Sequence, residues 1–265
     1  MVEYYKTIIC ARCATKIEQA IAFVIVCGEK GDRMSIEREK QILEILLKEK
    51  KASVHRLAAA LFVSEPSVRR DLQHLEAQHL IRRVHGGAVL EETALSKNEI
   101  PFLIREYEQS GAKAIIAKKA IGLVRDGDVV FLDSSTSCYH LIPFLASKRD
   151  LTVITNGVKA LTALAECGIH TISTGGALVN NCLSLVGEDA YKTIETYNAD
   201  IAFFSCRGVS DDGYLTEIAP EENNVRRKMI RRAKTAYLLC ASEKFGKRYF
   251  HNLCHKDEIT DILHE

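Results

Sequence analysis

Apolar residues recur at helical spacing from Ser35 to Gln78, and beyond Ile100 short apolar runs alternate with amphipathic stretches and polar loops. The first region carries three helical patterns. Ile42, Leu43, Leu46 and Leu47 share one face of a helix that Ser35 caps and Lys48-Glu49-Lys50-Lys51 closes. Val54, Leu57, Ala58 and Leu61 form the inner face of a short second helix behind Ser53, a residue type suited to an N-cap. Phe62-Val63 then turns the chain into a third helix, Ser64 to Gln78. Ser64 offers its hydroxyl to an orphan amide of the first turn, and Pro66 sits where a missing amide costs little. Val68, Leu72 and Leu75 make the core stripe, with His79 on the same side. Leu80 to Ala88 reads as two short strands around Gly86-Gly87. Three helices and a hairpin predict a winged helix-turn-helix over residues 34–90.

Glu91 to Ile100 is polar with little periodicity, so a linker is expected over 91–104 and a second domain over 105–265. Ala112–Val124 is an amphipathic helix, and Val129–Leu132 is a buried strand followed by the loop Asp133-Ser134-Ser135-Thr136-Ser137 and a helix to Leu145. Leu151–Ile154 and Ile169–Ile172 are strands with a helix to Ala165 between them. Ile201–Phe204 and Ala236–Cys240 flank the basic Asn224–Arg232 helix, and Ile259–Ile262 is a last strand. Strand, loop and helix repeated this often predict an α/β domain with a largely parallel sheet.

Composition adds bounds. The 265 residues are 47% hydrophobic and 27% charged, which suits a small globular domain plus a medium one. The net charge of +1 means that nucleic-acid binding has to come from a local patch. Nine scattered cysteines fit reduced, mostly buried thiols in a cytoplasmic protein better than a disulfide framework. No apolar run approaches the ~18 residues that span a bilayer, so no membrane association is expected. Residues 1–33 differ from the rest. The Cys10 and Cys13 pair has no second pair at zinc-finger spacing, so neither a metal nor any other cofactor is expected. Gly28-Glu29-Lys30-Gly31-Asp32-Arg33 just before Met34 looks like a translated ribosome-binding site, so 1–33 is expected to be a non-native or disordered extension.

The chemistry falls on two surfaces. On the third helix Ser67, Arg70, Gln73 and His74 point away from the core, with Arg69 on the flank and Ser64 at the start. A helix with an aliphatic stripe and such an outer face suits the major groove of double-stranded DNA. Arg70, Gln73 and Ser67 are the expected base readers, because Arg and Gln make bidentate contacts to guanine and adenine. Arg69, Arg82, Arg83 and His85 are the expected phosphate contacts. In the second domain polar clusters follow successive strands: Asp133, Ser135, Thr136 and Ser137; then Asn156; then Gly175 and Gly176; then Lys244. Ligands of such sheets sit beyond the carboxyl ends of the strands. Hydroxyls, a helix start and a lysine suit an anion, most simply a phosphate.

Residues 36–89 resemble the DNA-binding domain of the DeoR/GlpR family of bacterial transcriptional regulators. The likeness rests on Glu37-Arg38, Leu57-Ala58, Val63-Ser64, Val68-Arg69-Arg70-Asp71-Leu72, Leu75-Glu76 and His85-Gly86-Gly87-Ala88. It extends to about Leu263 through Leu132-Asp133-Ser134, Val153-Ile154-Thr155-Asn156, Gly175-Gly176, Arg226–Ile230 and Lys244-Phe245-Gly246. The resemblance implies a sensor domain similar to ribose-phosphate isomerases and CoA transferases that takes a phosphorylated sugar or related anionic metabolite as effector. Three positions depart from the family pattern: Ser135 and Ser205 stand where the family has Gly, and Ala241 where it has Asp.

The expected function is therefore a non-enzymatic, DNA-binding repressor of a carbohydrate-use operon. It would act as a homo-oligomer, dimer or tetramer, on operator DNA and be relieved by a phosphorylated sugar or related metabolite. Two alternatives stand beside it. One is a sugar-phosphate isomerase-like enzyme, for which no carboxylate pair or nucleophile–base set is readable. The other is a DNA-binding protein whose second domain serves only to oligomerise.

Overall fold

The computed structural model describes residues 38–39, 41–46, 49–77, 80–90 and 102–265. The expectations for residues 1–33, Cys10 and Cys13 included, and for His79 lie outside them.

Helix α1 covers residues 41–46. It is followed by β1 (Lys51–Ser53), α2 (Val54–Leu61), α3 (Glu65–Ala77), β2 (Ile81–Val84) and β3 (Gly87–Leu90). Ile42, Leu43, Leu46, Leu57, Val68, Leu72 and Leu75 are buried together, so the helical stripes pack as their spacing predicts. Strand β1 was not expected. The residues read as the end of the first helix and a cap instead lie beside β3, giving a three-stranded sheet of order β1-β3-β2. That pairing explains Gly87, where a Cβ would come within 2.3 Å of the Ala52 carbonyl oxygen. Ser53 still caps α2, accepting from the Arg56 amide at 3.1 Å.

Helix α4 (Phe102–Tyr107) begins within the last residues of the expected 91–104 linker. Phe102 and Ile104 bring apolar side chains that the two domains bury. Phe102 meets the Tyr139 ring edge-on at 5.7 Å, while Ile104 joins the core of the winged helix.

The second domain runs α5 (Ser110–Ile121), β4 (Val129–Leu132), α6 (Thr136–Tyr139), α7 (Ile142–Leu145), β5 (Thr152–Thr155), α8 (Val158–Glu166) and β6 (His170–Ser173). The hairpin β7 (Ala177–Val179) and β8 (Ser184–Val186) leads to α9 (Glu188–Glu195) and β9 (Ala199–Phe204). Then come β10 (Gly208–Val209), β11 (Tyr214–Glu217), α10 (Pro220–Arg231), β12 (Ala233–Leu239), β13 (His251–His255) and β14 (Asp261–Leu263). Six strands form one parallel sheet of order β14-β12-β9-β4-β5-β6. Its alternating side chains fill two cores. Val130, Leu132, Ile201 and Phe203 face one layer, and Phe131, Ala202 and Phe204 the other. Burying each phenylalanine contributes ~1.5–3 kcal/mol. The strand order reverses between β4 and β9, which places a ligand crevice at their carboxyl ends. A small antiparallel sheet, β10-β11-β13, borders that crevice and was not foreseen.

Candidate nucleic-acid interface and anion pocket

Helix α3 buries Val68, Leu72 and Leu75 and leaves Arg69, Arg70, Gln73 and His74 exposed. Asp71 turns inward and accepts from the Arg38 guanidinium, which fixes α3 against the first helix. Ser64 caps α3, its hydroxyl 3.4 Å from the Ser67 amide and 3.0 Å from the Ser67 hydroxyl. The outer residues are not equivalent. Arg69 reaches back to Glu65 at 3.2 Å, and His74 Nδ1 lies 2.9 Å from Glu39. Arg70 and Gln73 are exposed and have no partner among the described residues.

The wing shows the same division. Arg82 and His85 are exposed at β2 and its turn. Arg83 is also exposed, and its Nε donates to Glu76 at 2.7 Å and its amide to the same carboxylate at 2.9 Å. That pair of hydrogen bonds ties the wing to the end of α3.

In the second domain a cavity of about 610 Å³ opens at the β4/β9 reversal. Loops after three adjacent strands supply it: Ser135, Thr136 and Ser137 after β4, Ser205 and Arg207 after β9, and Ala241 and Lys244 after β12. Arg105, Lys113, Lys247, Glu217, Arg226 and Tyr249 complete much of the wall. Six cationic side chains face it against four carboxylates, so the site favours an anion.

Asp133 does not line the cavity. It organises the wall from behind. Its Oδ1 accepts from the Ser135 amide at 2.8 Å, and its Oδ2 accepts from the Ser205 amide at 3.2 Å and from Arg226 Nε at 2.8 Å. Burial pushes the Asp133 carboxyl up, but the Arg226 charge and the Ser135 and Arg226 hydrogen bonds hold it below the usual carboxylate range. Arg226 also donates to Glu217 at 3.2 Å, and Arg207 pairs with the other oxygen of Glu217 at 3.2 Å.

Ser135 accepts from the Cys138 amide at 3.2 Å and so acts as a cap. The helix it starts, α6, has only four residues. The expected dipole contribution is therefore small, because few peptide units align, and the hydroxyls and cations carry the site. Ser137 is 2% exposed and lines the cavity, and its Oγ has no hydrogen-bond partner among the described residues. A buried hydroxyl without a partner costs free energy unless a ligand or water completes it. Lys244 donates to Ser205 Oγ at 3.0 Å and to the Cys206 carbonyl at 2.8 Å, which leaves one of its three donors for a ligand. Ser205, a departure from the family pattern, thus positions this ammonium, and its own hydroxyl donates to Leu239 O at 2.7 Å.

Asn156, Gly175 and Gly176 are not brought to the cavity. They follow β5 and β6, on the far side of β4 from β9. Asn156 Nδ2 donates to Ser184 Oγ at 2.9 Å and to Leu185 O at 3.2 Å, which pins β8 over those strand ends. Gly176 has φ +110, and a Cβ there would come within 2.4 Å of the Val186 carbonyl oxygen, so it lets the β7–β8 hairpin close. Sequence reasoning missed Lys113, Arg207, Glu217, Arg226 and Tyr249. Of these only Lys113 leaves a local signal, a lysine on the apolar stripe with Ile116, Ala117 and Ala120.

Among the described residues no cluster of His, Cys, Asp and Glu is arranged to hold a metal, and no helix is long and apolar enough to cross a membrane.

Comparison with known proteins agrees with this division. Residues 38–94 match the DeoR-like helix-turn-helix domain, and residues 108–265 match the DeoR C-terminal sensor domain. The chain is 33% identical to the HTH-type transcriptional regulator YulB of Bacillus subtilis, over 86% of this chain and 87% of that one. It is 30% identical to the L-fucose operon activator of Haemophilus influenzae, over 85% and 90% of the two chains. It is 27% identical to a putative aga operon transcriptional repressor of Escherichia coli O157:H7, over 89% and 88%. Among solved structures, ribose 5-phosphate isomerase A of Methanocaldococcus jannaschii aligns with 18% identity and a TM-score of 0.39, covering 50% of this chain and 53% of that one.

Proposed function

This chain belongs to the DeoR family of transcriptional regulators, and on that premise we propose that it represses a carbohydrate-use operon and is released from its operator by a phosphorylated sugar. The observation that carries the effector half is the Ser137 hydroxyl, buried without a partner among the described residues in a cationic cavity beside Lys244. A phosphate oxygen is the acceptor that such a hydroxyl and the third Lys244 donor lack. Thr136 and Ser135 border the same space. Asn156, Gly175 and Gly176 shape the neighbouring hairpin and do not touch the ligand.

The DNA half has Arg70 and Gln73 as base readers in the major groove, since neither is engaged among the described residues. Ser67 stands behind them at the start of the helix. Arg69, Arg82 and His85 contact phosphates and set register. Arg83 and His74 support those contacts by fixing the wing and the helix. Two copies of the winged helix on half-sites about one helical turn apart would make a homodimer the smallest working unit. Related regulators include both an operon activator and a putative operon repressor. The repressor assignment is supported by the ligand logic: a pocket that reads an accumulating sugar phosphate suits relief of repression.

The test is fluorescence anisotropy on a duplex taken from upstream of the genes that flank this one. Tight binding to that duplex, with transcription rising when the protein is removed, supports the reading. Equal affinity for that duplex and for random DNA, or transcription that falls on removal, contradicts it.

A further inference from the structure

Lys113 is a charged residue on the buried face of α5, 5% exposed beside Ile116, Ala117 and Ala120. Its ammonium donates to the Glu108 carbonyl at 2.6 Å and to the Arg105 carbonyl. Burial, then the positive charges of Lys244 and Arg105, push its pKa down to about 7 against the opposing pull of Glu108 and Glu243. With Lys244 and Ser137 it lines the anion cavity.

Its two acceptors lie at the end of α4. The last carbonyls of a helix have no partner within the helix and need one from outside, and Lys113 provides it. Helix α4 is also shared between the domains. Ile104 is fully buried in the cluster that holds Leu43, Leu72 and Leu75, and Phe102 packs on Tyr139. One ammonium thus faces the cavity on one side and holds the segment anchoring the winged helix on the other.

We propose that Lys113 is the relay of this switch: a phosphate bound between Lys113 and Lys244 draws the Lys113 ammonium off the Arg105 and Glu108 carbonyls and releases the end of α4. The inference rests on the anion-pocket reading above. An anionic oxygen is a stronger acceptor for an ammonium than a peptide carbonyl, so occupancy of the cavity competes directly with the tie to α4. The released arrangement binds the anion better than the tied one, which is what any ligand-driven shift requires. Ser137 and Lys244 hold the phosphate, and Lys113 converts its presence into a change at Ile104.

The test uses the full chain, with inorganic phosphate and glucose 6-phosphate as probes, calorimetry for affinity and amide hydrogen exchange for residues 104–109. In the wild type phosphate speeds exchange of these amides, of which Glu108 N bonds Ile104 O at 3.2 Å. Lys113→Met exchanges fast without any ligand and binds phosphate roughly tenfold or more weakly, the worth of one charge-assisted hydrogen bond. Lys113→Arg, which keeps the charge, recovers part of both properties. Lys244→Met loses phosphate affinity while the 104–109 amides stay slow. Slow exchange in ligand-free Lys113→Met, or wild-type phosphate affinity in that variant, overturns the relay alone. A wild type that binds neither probe overturns the anion-pocket reading, and the relay with it.

Discussion

Replacing Arg226 by methionine should be the most damaging single change in the sensor domain. The guanidinium is 3% exposed, donates to Asp133 and Glu217 at 2.8 and 3.2 Å, and lies 3.9 Å from Glu222. Methionine fills much of the space but leaves the buried carboxylates of Asp133, Glu217 and Glu222 without the cation they share, Arg207 still pairing with Glu217 at 3.2 Å. Removing one partner of a buried ion pair costs about 3–5 kcal/mol. At ~2–4 °C per kcal/mol for a protein of this size, the melting temperature should fall by roughly 6–20 °C. The pH dependence gives a second check. In the wild type, burial raises Asp133 and Glu217, but the Arg226 charge and the local hydrogen bonds bring both below their ordinary values of 3.8 and 4.5. A folded pKa below the unfolded one contributes stability that is complete at neutral pH and lost as the pH falls through the folded value. In Arg226→Met the largest influence left on Asp133 is burial, so its folded value rises above the unfolded one, while Arg207 and the Ile218 amide still hold Glu217 down. That variant regains stability as the pH falls from neutrality towards the carboxylate range. Urea denaturation of both proteins at about pH 7 and pH 5 should show the gap narrowing at the lower pH. A cost under ~1 kcal/mol at neutral pH, or a gap that does not narrow, would refute this account of the Asp133–Arg226–Glu217 network.

Other outcomes follow from single residues. Arg70→Ala should weaken operator binding by ~1–3 kcal/mol and relax preference at one base pair, read by anisotropy on operator variants; equal losses on operator and random DNA would make Arg70 a phosphate contact. Phe62 is 95% exposed with φ +54, a left-handed conformation that costs a bulky residue ~1–2 kcal/mol, so Phe62→Asn should raise thermal stability, and an unchanged or lower melting temperature contradicts the strain. Lys113 has a folded pKa of about 7 against an ordinary 10.5, so the unfolded chain binds more protons between those values and stability climbs with pH across that window. Lys113→Met should lack this slope in urea denaturation, and a variant that keeps it would place the titrating group elsewhere.

The winged helix was legible because its information is local. Stripes such as Val68, Leu72 and Leu75 need only helical spacing to show which face is buried, and the outward Arg70 and Gln73 follow from the same geometry. Strand β1 was not legible, because Lys51-Ala52-Ser53 is too short to carry a pattern and becomes a strand only beside Gly87 and Ala88. The parallel sheet was readable from its alternating runs, but its order was not. Hence the cavity gathers Lys244 and Ser137, whereas Asn156, Gly175 and Gly176, expected beside them, follow β5 and β6 and lie outside its lining. Which strands are neighbours is a long-range property that no single loop reveals. Arg207, Glu217 and Tyr249 come from or beside strands of two to five residues that leave no periodic signal. Helix α4 sits where the composition reads as a linker, and its role emerges only from what Phe102 and Ile104 pack against.

The most direct measurement is the affinity of the full chain for its operator duplex, followed by anisotropy as phosphorylated sugars and their unphosphorylated counterparts are added to the wild type and to Lys244→Met. The account predicts that one phosphorylated sugar lowers wild-type affinity by roughly 5- to 150-fold, that its neutral counterpart does not, and that Lys244→Met binds the operator but no longer responds. Operator binding indifferent to every phosphorylated sugar, or a Lys244→Met variant that responds as the wild type does, would contradict it.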